Sequence, residues 1–174
     1  MSVVVILGSA RGESDTDALL EAVLAGRPVT RIDLRDLHIE HYKYSNVPAR
    51  DDFDSIVEAM TTHTRIVFAT PVYWYAMSGR MKVLFDRFSD LVTLRKDLGR
   101  QLKGRTVFVL ACGSDPRMPE GFEVPFQETA AYLDMSYGGA FYAQTDDRGI
   151  LDSARESAVP FGDRVFTAPP RHGG

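Results

Sequence analysis

Apolar and polar positions along this chain fall into two alternating rhythms. "VVVIL" (Val3–Leu7) is a continuous run of branched residues, which predicts a strand buried on both faces. "DALLEAVLAG" follows, with Leu19, Leu20, Val23 and Leu24 at helical spacing and a stop at Gly26. "VTRIDL" predicts a second strand, and the polar stretch "HIEHYKYSNVPARDD" predicts a loop. Residues 52–63 predict a helix with Phe53, Ile56, Val57 and Met60 on one face. "RIVFAT" (Arg65–Thr70) predicts a third strand, and "GRMKVLFDRFSDLV" one long helix with Met81, Leu84, Phe85 and Phe88 in a stripe. "TVFVLAC" predicts the fourth strand, 125–135 a helix, "YGGAFY" the fifth strand, and 152–166 a last helix disturbed by Pro160.

Strand–helix alternation predicts an α/β, three-layer, doubly wound fold. About five parallel strands in a chain of this length fit the flavodoxin-like order 2-1-3-4-5. Residues 1–166 are then one domain, and 167–174 a disordered tail. That strand order has its switch point between strands 1 and 3, where ligands sit beyond the carboxyl ends. Two unusual loops fall there, "GSARGESDT" after strand 1 and "TPVYWYAMSG" after strand 3.

The first loop leads into a helix, whose N-terminus offers free N–H groups to an anion. Ser9, Ser14 and Thr16 add hydroxyls and Arg11 a guanidinium. A simpler role for Ser14 or Asp15 is to cap the helix. Neither a G-x-G-x-x-G nor a Walker loop is present. The second loop places Tyr73, Trp74 and Tyr75 where a loop is normally polar, which suits a flat ring system, or packing on a neighbouring helix or subunit.

Composition narrows the partners. Apolar residues make 44% of the chain and charged residues 25%, ordinary for a soluble domain. A net charge of −4, from 20 basic and 24 acidic residues, argues against nucleic acid or an acidic membrane surface. The longest uncharged run is too short to span a bilayer. No basic leader precedes "MSVVVILG", and the lone Cys112 suits a reducing compartment, so a cytoplasmic location is expected. "CGSDPR" spaces Cys112 and Arg117 one residue too closely for a tyrosine-phosphatase loop, and Pro116 removes an N–H that such a loop needs. His38, Glu40 and His41 are a weak metal pattern, and no metal is expected. Lys82 and Asp86 predict an i,i+4 pair, and Asp86 and Arg87 are candidates for pairing across a subunit interface.

Together these stretches resemble the NADPH-dependent FMN reductase family. "GSARGESDT" is similar to its G-S-x-R-x-x-S-x-T phosphate loop. "PVYWYAMSGRMKVLFDR" is similar to its second signature, with Pro71, Tyr73, Met77, Ser78, Gly79, Lys82, Asp86 and Arg87 in register. The resemblance covers residues 2 to about 114 and implies non-covalent FMN. Ser9, Arg11, Ser14 and Thr16 would hold its phosphate. Pro71, Val72, Tyr73, Trp74, Tyr75 and Ala76 would border the isoalloxazine, with loop N–H groups reaching N5 and O4. Cys112, Gly113 and Ser114 would close the other side. Two positions depart from the family: Asp15 stands where Asn is usual, and Ala76 where a Ser or Asn donor is frequent. A carboxylate beside a phosphate costs affinity unless it points away.

The implied activity is hydride transfer from NADPH or NADH through flavin N5 to a small-molecule acceptor such as a quinone or free flavin. The alternative is a flavodoxin-type electron carrier. Such carriers are strongly acidic and rely on a peptide flip beside the ring, for which "YWYAM" has no glycine. The aromatic and apolar content around "YWYAM" and "MKVLFDRF" further predicts a homodimer or homotetramer.

Overall fold

The computed structural model describes residues 2–167. Its sheet is built from β1 (Val3–Leu7), β2 (Thr30–Asp33), β3 (Arg65–Tyr73), β5 (Thr106–Gly113) and β6 (Ser136–Asp146), in the parallel order β2-β1-β3-β5-β6. These are the five strands expected, in the doubly wound order. The count of five is corrected by two short antiparallel strands, β4 (Ala76–Met77) on β3 and β7 (Gly149–Ile150) on β6, which make a seven-stranded sheet. Strands of two residues leave no alternation to read.

Alternation along the strands divides the core in two. Val4, Ile6, Ile66, Phe68, Val107 and Val109 pack with α2 (Phe53–Thr62), α3 (Gly79–Arg87) and α6 (Val124–Tyr132). Val3, Val5, Leu7, Val67, Ala69, Phe108 and Leu110 pack with α1 (Asp15–Leu24) and α7 (Asp152–Thr167). Both strand faces are therefore buried, as the unbroken apolar runs require.

Three expected elements differ. The long helix after "TPVYWYAMSG" ends at Arg87 and is followed by α4 (Asp90–Thr93) and α5 (Lys96–Gln101). Around Phe88 the backbone tightens to i→i−3 bonds, from Phe88 N–H to Phe85 and from Ser89 N–H to Asp86. The apolar stripe runs on through the break, since Leu84, Phe88 and Leu91 are all buried. Strand β6 is longer than "YGGAFY" and carries an irregularity at Gly138, where a Cβ would lie 2.3 Å from the Phe108 ring. Helix α7 runs through Pro160 to Thr167, so Thr167 is helical; the rest of the expected tail lies outside the described residues.

Arg87 also departs from expectation. Its guanidinium is buried and does not reach an outer surface. It pairs with Asp51, bonds Asp90 at 2.8 Å and the Glu40 carbonyl at 3.1 Å, and lies over the Phe53 ring. Asp86 pairs with Lys82 at 2.5 Å, as the spacing predicts. Arg87 thus fastens the long loop before α2 to α3. Burial opposes charge at Asp51, but Arg87 and the main-chain N–H groups of Glu40 and Phe53 outweigh it and hold its carboxyl below the usual range.

Candidate functional site

Parallel register brings the strand ends to one level. Leu7 pairs with Ala69, Pro71 with Cys112, and Cys112 with Ala143. The loops after β1, β3 and β5 therefore meet at one edge. They enclose a cavity of about 440 Å³, within the range of small-ligand sites. Ser9, Arg11, Ser14, Thr16, Pro71, Val72, Tyr73, Cys112, Gly113 and Ser114 line it, together with Asp15 and Thr145. Trp74, Tyr75 and Ala76 do not line this cavity.

The first loop is held by its own hydroxyls. Ser9 Oγ donates to the Arg11 carbonyl at 2.9 Å and accepts from the Arg11 N–H. Ser14 caps α1: its Oγ accepts from Asp17 N–H at 3.2 Å, while the Asp17 carboxylate accepts from Ser14 N–H at 3.1 Å. This is the reciprocal capping arrangement. Thr16 Oγ1 lies 3.3 Å from Cys112 Sγ, both buried. Burial pushes the Cys112 thiol up to about 11, so it stays protonated and unreactive near neutral pH.

These side chains shape the turn and leave the main chain as the source of donors. The N–H groups of Asp15 and Thr16, in the first turn of α1, have no acceptor among the described residues. The Arg11 side chain is 73% exposed, and its one ion pair among the described residues is with Asp15, at 3.5 Å. Free N–H groups, a helix N-terminus and a loosely held guanidinium fit a phosphate monoester. Asp15 does not point away; it lines the same cavity as Arg11.

The second loop is a two-residue hairpin. Val72 pairs with Met77 and Tyr73 with Ala76, leaving Trp74 and Tyr75 as the turn. Both have positive φ, 49° and 66°. A two-residue hairpin turn with positive φ at both positions is type I′, which normally carries Asn-Gly. Bulky residues there are strained. Trp74 is 92% exposed and Tyr75 68%. Tyr75 also lines a groove of about 630 Å³ shared with Asp115, Arg117 and Glu120. Thr70 Oγ1 accepts from Ser78 N–H at 3.0 Å and so fixes the base of the hairpin.

Sequence reasoning missed Thr145 and the part of β6 beyond Tyr142. The polar run "QTDDRG" has no apolar period: Gln144 is strand through its pairing with Gly113, Thr145 and Asp146 pair with Ile150 and Gly149, and Asp147 and Arg148 form the turn.

Comparison with known proteins identifies the family. The model of the family described as NADPH-dependent FMN reductase matches residues 1–142. A Bacillus subtilis protein named as an NAD(P)H-dependent FMN-containing oxidoreductase, YwqN, is 32% identical over 151 residues, covering 80% of this chain and 82% of its own. A second B. subtilis protein, the NAD(P)H oxidoreductase YdeQ, is 30% identical over 149 residues, covering 77% and 72%. Among solved structures, the Trp repressor binding protein from B. subtilis superposes with a TM-score of 0.75 at 26% identity, over 97% of this chain and 99% of that one.

Proposed function

The chain belongs to the NADPH-dependent FMN reductase family and is an FMN-dependent, NAD(P)H-using oxidoreductase; from that premise we propose that it reduces a small aromatic acceptor, a quinone or a free flavin, at the mouth of the cavity. FMN, when bound, would supply the redox chemistry, hydride transfer between nicotinamide and acceptor. The protein's part is to hold and shape. In this reading Arg11 and the N–H groups of Asp15 and Thr16 hold the phosphate, with Ser9, Ser14 and Thr16 framing the turn. Pro71, Val72 and Tyr73 border one side of the ring, and Cys112, Gly113 and Ser114 the other.

The observation that carries the enzyme reading over the carrier reading is the turn at Trp74. Flipping the central peptide of a type I′ turn converts it to type II′, which wants glycine at the first central position. Trp74 occupies that position. The flip a one-electron carrier would use is therefore sterically opposed. Exposed Trp74 and Tyr75 supply instead two aromatic faces beside the cavity, suited to flat acceptors.

Exposed aromatic surface at the hairpin also supports the homodimer or homotetramer reading, which light scattering on the FMN-bound protein tests. No helix among the described residues is long and apolar enough to cross a membrane, and the single buried cysteine is consistent with a cytoplasmic enzyme.

Steady-state oxidation of NADPH and NADH, with a benzoquinone or free FMN as acceptor, tests the acceptor class. Turnover with either acceptor, and its loss in Trp74→Ala with Tyr75→Ala, is expected. Equal turnover by wild type and this double variant contradicts an aromatic docking role.

A further inference from the structure

We propose that the carboxyl end of β6 tunes the flavin: Tyr142 and Gln144 are positioning residues that clamp the loop after β5 and turn the Asp115 N–H toward the bound ring. This rests on the flavin reading above.

Tyr142 and Gln144 are two apart on β6 and so project from the same face. The Tyr142 hydroxyl donates to the Asp115 carbonyl at 2.8 Å. The Gln144 Nε2 donates to the Ser114 carbonyl at 3.2 Å. Two successive carbonyls are thus drawn toward β6. Peptide bonds here are trans, with C=O and N–H on opposite sides of the plane. Holding the Ser114 carbonyl toward β6 therefore points the Asp115 N–H away from it. The next residue is Pro116, so the second clamped peptide offers no N–H.

The Asp115 N–H makes no hydrogen bond among the described residues. On the side of β5 away from β6 lies β3, whose Pro71, Val72 and Tyr73 line the cavity with Ser114, while Asp115 lines the groove that Tyr75 shares at the next residues of both loops. The loop is also confined there. A Cβ at Gly113 would stand 3.0 Å from the Tyr142 hydroxyl and 3.3 Å from Val72 Cβ, so a larger residue would have to displace one of them by a few tenths of an ångström. The Tyr142 phenol, raised to about 12 chiefly by burial, keeps its donor proton throughout the working pH range.

A fixed N–H donor beside a flavin favours its reduced form, which carries negative charge near neutral pH. The clamp should raise the midpoint potential without adding much to the affinity for oxidised FMN.

The test is the two-electron midpoint potential of the FMN-bound protein, by dye equilibration, alongside the Kd for oxidised FMN. Variants are Tyr142→Phe, which removes one oxygen, and Gln144→Met, which removes the donor without adding charge. Each should bind reduced FMN about tenfold more weakly relative to oxidised FMN, which lowers the midpoint by about 30 mV. The Kd for oxidised FMN should change by less than about threefold. A merely structural role would weaken both forms alike and leave the midpoint unmoved. Unchanged midpoints in both variants overturn the proposal while leaving the flavin site intact. A wild type that takes up no FMN overturns the flavin reading and this proposal with it.

Discussion

Ser78 donates its hydroxyl to the carbonyl of Gly8, 70 positions earlier in the chain, at 2.5 Å. The same Oγ accepts from Met81 N–H at 3.2 Å and so caps α3. One buried oxygen thus ties the loop after β1 to the helix that follows the aromatic hairpin. Gly8 is held close: a Cβ there would come within 3.0–3.1 Å of Met81 and Ser78 Oγ. Ser78→Ala removes the cap and leaves a buried carbonyl without its donor. The expected cost is about 2–3 kcal/mol, a fall in Tm of about 5–10 °C by thermal melt. FMN affinity should fall with it, because both loops lose their common anchor. Unchanged stability would mean that the two loops are held independently.

In the proposed site, Arg11 and Asp15 would act on the FMN phosphate with opposite signs. Arg11→Ala should weaken FMN binding by about 1.5–3 kcal/mol, the size of a lost charge-assisted hydrogen bond. Asp15→Asn should tighten it, since a carboxylate leaves the cavity while the helix N-terminus remains. Riboflavin, lacking the phosphate, should be indifferent to both substitutions in fluorescence titrations. Riboflavin binding as tightly as FMN would place the phosphate elsewhere.

The Trp74–Tyr75 turn stores strain that a commoner turn sequence would release. Left-handed backbone costs non-glycine residues about 1–2 kcal/mol each. Trp74→Asn with Tyr75→Gly should therefore stabilise the protein by about 1–2 kcal/mol, a gain of about 2–8 °C in Tm. Turnover with a benzoquinone should fall in the same variant. Stabilisation without loss of turnover would show that the aromatic pair has no role at the site.

Acid should weaken the Arg87 anchor. Asp51 titrates lower in the folded protein than in the unfolded chain, so the unfolded state binds the proton more readily. The stability it contributes is full above the unfolded value, about 3.9, and is lost as pH falls through the lower folded value. Asp51→Asn should cost about 3–5 kcal/mol at pH 7, because Arg87 stays buried with one partner fewer. Its stability should also fall less steeply than that of wild type below about pH 4. Urea melts from pH 3 to 7 on both proteins measure the difference.

Much of this site was legible before any coordinates. Val3–Leu7 and Thr106–Cys112 declare themselves as buried strands by unbroken branched runs, and strand order then brings two odd loops together. What escaped reading lacks a period. Ala76–Met77 and Gly149–Ile150 are strands only through their partners. Phe88 continues the apolar stripe across a helix break, so spacing cannot mark the break. Arg87 reads as a candidate for pairing across a subunit interface, because nothing near it in sequence announces Asp51 across 36 positions. Gln144 and Thr145 belong to the end of a strand that the reading stops at Tyr142, because a polar run follows it. Ser9, Ser14 and Thr16 were visible as hydroxyls, but that each already bonds the protein is a matter of geometry.

An anaerobic titration of the FMN-bound protein separates two-electron chemistry, in a site whose hairpin flip is sterically opposed, from one-electron carriage. With dithionite, the absorbance should pass from oxidised to fully reduced flavin with little radical at any point. With NADPH or NADH, the same end point should be reached without another reductant. A blue or red flavin radical persisting over most of the dithionite titration, with no reduction by either nucleotide, would contradict the account.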